Sequence, residues 1–172
     1  MAAALAAGSA AILKPAPEAV AVGALVAACC ADAGLAPDLV RWLPCPDGDV
    51  GRRLVTHPGV GGVILTGGLA TARAFLEWRP GLRIHAETSG KNAMVITAAA
   101  DVDLALRDLV RSAFGHAGQK CSAASLGILV GSVARSRRFR DQLLDAASSL
   151  RVAWPADPAA QMGPLTEAPG QK

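Results

Sequence analysis

The 172-residue chain contains no tyrosine, and aromatic residues make up only 3% of it: Phe75, Phe114, Phe139, Trp42, Trp78 and Trp154. A core without them rests on Ala, Val and Leu, which bury less area per residue, and is thin for a free-standing unit. Charge is also sparse at 18% and nearly balanced, with 17 Lys and Arg against 14 Asp and Glu. The one basic cluster, Arg135, Arg137, Arg138 and Arg140, is accompanied by Phe139 alone. Nucleic-acid recognition needs a broader basic stripe with stacking aromatics, so the cluster reads as a solvated helix face and nucleic acid is excluded as a partner. The four cysteines, Cys29, Cys30, Cys45 and Cys121, have neither the CxxC spacing of a zinc or redox site nor the regularity of a disulfide framework. That absence predicts a cytoplasmic compartment and no metal site. No apolar run reaches the ~18 residues of a membrane span, because Lys14, Glu18, Asp32 and Asp38 interrupt the N-terminal third. The Ala-rich opening up to Leu13 has no preceding cation, unlike a secretory leader.

What the chain does have is apolar content, 52% of residues, with 18 glycines and 11 prolines. This excludes a disordered tail and predicts a chain that buries most of itself. The apolar run Ala10 to Leu13 reads as a strand, followed by a helix between Pro17 in its first turn and Gly34 just past its end. Leu39 to Leu43 is a second apolar run, Asp49 to His57 a short helix, and Val60 to Leu65 a strand ending at Thr66, Gly67 and Gly68. A helix from Leu69 to Trp78 follows, then runs at Leu82 to Ala86 and Ala93 to Thr97. The next helix spans Asp101, its N-cap, to Phe114; Leu126 to Val130 is a buried strand and Arg135 to Leu150 a last helix. Strands alternating with helices predict an α/β fold with a parallel sheet. The strand near the N-terminus, and the run from Gly163 through Pro169 and Gly170, read as cuts through a larger chain.

Several residues have the character of a reactive site. Thr66-Gly67-Gly68, between a strand and a helix, offers backbone N–H groups to a phosphate, or is a plain turn; it lacks GxGxxG spacing. Lys14, closing the first strand, reaches a ribose or phosphate, or lies along the surface. Glu87 precedes the small-residue turn Thr88-Ser89-Gly90-Lys91-Asn92, where a dry setting makes a general base; the alternative is an ordinary turn glutamate. Cys121 lies in Gly115-His116-Ala117-Gly118-Gln119-Lys120-Cys121-Ser122-Ala123, a polar interruption between helix and strand. Lys120 beside it favours a thiolate, and backbone N–H groups of such a loop hold an oxyanion. His116 raises a Cys-His hydrolase as an alternative. Cys29 and Cys30, on an apolar helix, are expected as core residues, and Cys45 as a loop residue.

Together these segments resemble the aldehyde dehydrogenase superfamily. Ile12-Leu13-Lys14-Pro15-Ala16 is similar to its ribose-lysine strand, Leu65-Thr66-Gly67-Gly68 to its phosphate turn, and Glu87-Thr88-Ser89-Gly90-Lys91-Asn92 to its base motif. Gly118-Gln119-Lys120-Cys121-Ser122 is similar to its nucleophile loop and Met162-Gly163-Pro164-Leu165 to its "MGPL" segment. Glu87 and Cys121 stand 34 positions apart, as in that family. From His85 to Ser125 the wording most resembles L-glutamate γ-semialdehyde (Δ1-pyrroline-5-carboxylate) dehydrogenases, in the form joined to proline dehydrogenase. Two positions depart from the pattern: Pro17 stands where a ribose-binding glutamate is usual, and Ala72 replaces the last glycine of the phosphate turn.

The resemblance implies a partial Rossmann-like NAD-binding domain at 1–87 and a partial catalytic domain at 88–172. It implies Cys121 as nucleophile, Glu87 as base, Lys14, Thr66, Gly67, Gly68 and Thr88 as NAD contacts, and Ser122 as an anchor for the substrate carboxylate. It further implies a small-molecule aldehyde substrate and a homo-oligomeric parent of which this chain is a truncated piece. The competing expectations are an inactive remnant or interaction module on the same scaffold, or another subfamily of the superfamily.

Overall fold

The computed structural model describes residues 1–168, so Pro169 and Gly170 of the expected cut end lie outside the described residues. The chain divides into two compact units, Met1–Thr66 with Ala70–Ala86, and Gly67–Leu69 with Glu87 onward.

In the first unit a short helix α1 (Ala2–Ala6), absent from the sequence reading, precedes β1 (Ala11–Leu13). A 3-10 turn at Pro17–Ala19 leads into α2 (Val20–Asp32), and β2 (Val40–Trp42) pairs parallel with β1 in the register Ala11 to Val40 and Leu13 to Trp42. Gly34 ends α2 at φ +84°, where only a residue without Cβ turns left-handed at no cost. Inside the helix, a Cβ at Gly23 would stand 3.1 Å from Pro15 and 3.3 Å from the Trp42 indole nitrogen, so the glycine allows the helix to approach its strands closely. The other faces of α2 carry apolar side chains too, and there the expectation of burial fails. Val22 is 62% and Leu25 64% exposed. Cys29 is exposed and Cys30 only half-buried, so neither is the core residue expected. A helix that is apolar all round has more greasy surface than one strand pair covers.

Next along the chain come α3 (Asp49–Thr56), β3 (Val63–Gly67), α4 (Leu69–Trp78) and β4 (Ile84–Thr88), which belong to this unit except for Gly67–Leu69 and the Glu87–Thr88 end of β4; β3 and β4 are paired. Both strands start later than their apolar runs. Val60 donates to the His57 carbonyl at 3.0 Å in a turn, and the ladder opens where Val63 donates to the Arg83 carbonyl at 2.9 Å. Arg79 fixes that turn by donating to the Val60 carbonyl at 2.8 Å, and the Arg52 guanidinium lies 5.9 Å above the Trp78 ring. Ala72, the departure from the phosphate-turn pattern, is buried on α4.

The second unit is a βαβ crossover. β5 (Asn92–Ile96) pairs parallel with β6 (Ala124–Leu129), and α5 (Val102–Phe114) connects them. The register shifts between Asn92 and Ala93: Asn92 faces Ala124, whereas Ala93 faces Leu126. A 3-10 turn (Gly131–Arg135) and α6 (Arg137–Ser148) complete the unit. Its core is Ile96, Leu106, Leu109, Val110, Val133 and Phe139, with Phe139 only 1% exposed. Three of the four basic-cluster residues lie on α6, with Arg135 just before it. Arg138 pairs with Asp103 at 2.8 Å, a solvated pair of small energetic weight.

Among the described residues the strands form three two-stranded sheets; β1–β2 and β5–β6 are parallel, in keeping with the α/β fold of parallel sheets that the sequence predicts. Both helices of the second unit are capped as helices prefer. The Asp101 carboxylate accepts from the Leu104 N–H at 3.0 Å, and the Ser136 hydroxyl from the Phe139 N–H at 3.2 Å. Asp101→Ala leaves that N–H without its partner and is expected to destabilise the second unit by about 1 kcal/mol, read as faster amide exchange in the first turn of α5.

Candidate active site

The loop between α5 and β6 presents Cys121. After Phe114 the backbone turns through Gly115–Gly118, in which His116 (φ 53°, ψ 34°) and Ala117 (φ 55°, ψ 33°) are both left-handed and Gly118 follows at φ +70°. Two consecutive non-glycine residues in this region are unusual, at about 1–2 kcal/mol each. At Gly118 a Cβ would stand 3.0 Å from the Ala113 carbonyl, so glycine is needed there for both space and conformation. A turn closed by the Ala123 N–H on the Lys120 carbonyl at 3.1 Å then carries Cys121 and Ser122, both exposed. Among the described residues, the N–H groups of Cys121 and Ser122 donate to no protein acceptor. An exposed thiol flanked by uncommitted amides is an arrangement suited to attack on a carbonyl, since those donors are available to a developing oxyanion.

Two side-chain amides hold this loop, and the motifs in the sequence assign a role to neither. Asn92, exposed at the start of β5, donates to the Cys121 carbonyl at 2.5 Å and to the Ala123 carbonyl at 3.1 Å. Gln119 donates to the His116 carbonyl at 3.0 Å, and its oxygen accepts from the Thr166 N–H at 2.8 Å. Its amide also reaches the Pro164 carbonyl at 3.4 Å, which brings the Met162–Leu165 segment to the loop that carries Cys121. The signal available in the sequence was that both amides sit inside motifs, where a polar side chain with no chemistry of its own serves to position backbone.

Glu87, at the end of β4, groups with Cys121 in the second unit. It is exposed, as are Ser89 and Gly90, so the dry turn expected around it is absent from this structure. Thr88 is half-buried. Lys14 and Thr66 belong to the first unit, whereas Gly67 and Gly68 fall in the second. Lys14 is neither free nor simply stretched along the surface: its ammonium pairs with the Asp47 carboxylate at 2.6 Å. Ser122 borders an open depression with Lys120, Arg111 and Met94. No group of three His, Cys, Asp or Glu side chains suited to a metal occurs among the described residues, and none of their helices is long and apolar enough to cross a membrane.

The strand–helix–strand units and the turn with its exposed thiol belong to a chain that matches a known family over its whole length. The protein belongs to the aldehyde dehydrogenase family, whose model matches residues 1–172. It is 34% identical over 173 residues to the 1-pyrroline-5-carboxylate dehydrogenase of Geobacillus thermodenitrificans, a match covering 96% of this chain and 33% of that protein. Among solved structures, proline utilization A (PutA) from Corynebacterium freiburgense superimposes with a TM-score of 0.92 at 51% identity, covering 98% of this chain and 17% of that one. The 1-pyrroline-5-carboxylate dehydrogenase from Thermus with bound NAD gives 0.85 at 37% identity, covering 94% and 32%. The chain therefore spans about a third of the length of the curated relatives it matches.

Proposed function

We propose that this chain carries the nucleophile and part of the cofactor domain of an NAD-dependent L-glutamate γ-semialdehyde dehydrogenase. Residues 1–87 are then the cofactor part and 88–172 the nucleophile-bearing part. The observation that carries the proposal is the exposed Cys121 on a turn with two uncommitted amides. Likeness to two 1-pyrroline-5-carboxylate dehydrogenases and to PutA supports the substrate.

In this reading the Cys121 thiolate adds to the aldehyde carbon, and the carbonyl oxygen becomes an oxyanion facing the free N–H groups. The resulting thiohemiacetal is oxidised to a thioester. Glu87 takes a proton from the water that cleaves the thioester, releasing the carboxylate product and the thiolate. Ser122, beside the depression shared with Arg111, Lys120 and Asp108, holds the substrate α-carboxylate; two cations against one carboxylate leave the lining net positive, which favours an anionic group.

The chemistry of the individual cofactor residues supports a dinucleotide. α4 opens with no acidic residue in its first turn, so the positive end of its dipole after Thr66, Gly67 and Gly68 is left for a phosphate. Lys14 spends one donor on Asp47 and a second on the Pro15 carbonyl and retains its third for a ribose hydroxyl, and Thr88 lies at the end of β4. When bound there, NAD supplies the hydride acceptor. By the same resemblance, the full-length enzyme is a cytoplasmic homo-oligomer.

The test is NADH formation with L-glutamate γ-semialdehyde by a chain extended to the relatives' length. Turnover is expected, with a higher kcat/KM than for betaine aldehyde; the reverse preference rejects the substrate. The 172-residue chain alone, a third of that length, is expected to give no aldehyde-dependent rise in NADH absorbance, and a clear rise would mean that these residues suffice.

A further inference from the structure

The side chain of the strand-start amide Asn92 is bound to the backbone on both sides of Ser122. A trans peptide is planar and its C=O and N–H point in opposite directions, so whatever holds the Cys121 carbonyl also sets the direction of the Ser122 N–H. The Asn92 bond to the Cys121 oxygen, at 2.5 Å, therefore turns the Ser122 N–H away from β5. The neighbouring peptide is held from both ends: its Ala123 carbonyl accepts from Asn92 at 3.1 Å, and its Ala124 N–H donates to the Ser112 hydroxyl at 3.1 Å.

The strand itself accommodates this cross-link. The register between β5 and β6 slips at Asn92, immediately beside the residue whose side chain crosses to the loop. Such irregularities re-aim side chains next to functional sites, whereas a continuous ladder would bind the backbone and leave the loop unattached. An aspartate has the same shape but no donor, and would place a carboxylate against two carbonyl oxygens.

We propose that Asn92 is a positioning residue for the nucleophile: by bonding the Cys121 carbonyl it orients the uncommitted Ser122 amide toward the oxygen of the carbonyl under attack, and its bond to the Ala123 carbonyl fixes the next peptide. This rests on the reading of Cys121 as nucleophile. Asn92 touches no reacting atom; it acts through the peptides it holds.

The consequence is selectivity between two reactions of one thiol. Acyl transfer from 4-nitrophenyl acetate passes through an oxyanion: the Cys121 sulfur bonds to the acetyl carbon, the carbonyl electron pair moves to oxygen and returns, and 4-nitrophenolate leaves a thioester behind. Alkylation by iodoacetamide displaces iodide at a saturated carbon and forms no oxyanion. The experiment uses the 172-residue chain with Cys29→Ser, Cys30→Ser and Cys45→Ser, so that only Cys121 reacts. Asn92→Ala and Asn92→Asp are expected to slow nitrophenolate release by roughly tenfold to a hundredfold, the cost of misplacing an oriented group by about 1 Å, while alkylation changes by less than about twofold. Asn92→Ser, which keeps one donor, should recover part of the acyl-transfer rate. Equal loss of both reactions, or loss of neither, would overturn the positioning role. If Asn92→Ala does not fold, as read by circular dichroism, Asn92→Ser against Asn92→Asp decides the question by the same ratio. A parent chain that alkylates at Cys121 but releases no nitrophenolate would overturn the nucleophile reading itself, a result separate from unchanged rates in the Asn92 variants.

Discussion

Cys121→Ala is expected to abolish aldehyde-dependent NADH formation in a chain of the relatives' length, by more than roughly a thousandfold in kcat, because no neighbouring group replaces a covalent nucleophile. Cys29→Ala is expected to leave kcat within about twofold, the ordinary range for an exposed residue away from the chemistry. The contrast matters because exposure alone does not separate the two sulfurs, both of which reach solvent. What separates them is backbone: Cys29 lies within α2, where its N–H is part of the helix ladder, whereas the Cys121 N–H is uncommitted. Equal loss from both substitutions, measured at saturating aldehyde and NAD, would show that the sulfur was wrongly assigned.

Phe139→Ala should have the largest effect on stability. The ring is 1% exposed within a cluster of small and medium aliphatic side chains, on a helix whose N-cap bond is made to its own N–H. Removing it leaves a cavity that the short neighbours Val133, Val110 and Leu109 are too constrained to fill, for a loss of about 3–5 kcal/mol. That is a large share of the stability of any domain this size. Since the chain comprises two units, the reading is best taken locally, from amide exchange of α5 and α6 rather than a single unfolding midpoint. Leu144→Ala on the same helix, where the side chain is 60% exposed, should cost less than about 0.5 kcal/mol. Comparable losses at the two positions would mean that the core lies elsewhere.

The local signals of the sequence translated well where they depended on neighbours in the chain. Asp101 as N-cap, Gly34 as helix terminator and the α4 boundaries at Leu69 and Trp78 all follow from interactions within one turn, and all are present. The failures have a common origin in long-range contacts. Cys29 and Cys30 look like core residues because α2 is apolar throughout, but burial depends on what stands opposite, which composition does not encode. The start of β3 is displaced because Arg79 and Arg83, about twenty residues away in the chain, hold the turn at Val60 and open the ladder at Val63. At the candidate site the sequence identifies the thiol and the acid by their motifs. It does not reveal that Asn92 and Gln119 attach the loop to a strand and to the Pro164 segment, since those bonds span 29 to 47 residues.

The left-handed run at His116, Ala117 and Gly118 bears on how this loop tolerates change. Ala117→Gly relieves a residue from a conformation that costs an L-amino acid free energy, offsetting the greater freedom glycine gains when unfolded, so it should be accepted where most glycine replacements are not. A saturation library across the three positions should accordingly enrich Gly, Asn and Asp at 116 and 117, deplete Val and Ile there, and admit almost nothing but glycine at 118. Such a fingerprint would come from backbone shape alone, and would appear in a stability screen that never touches an aldehyde.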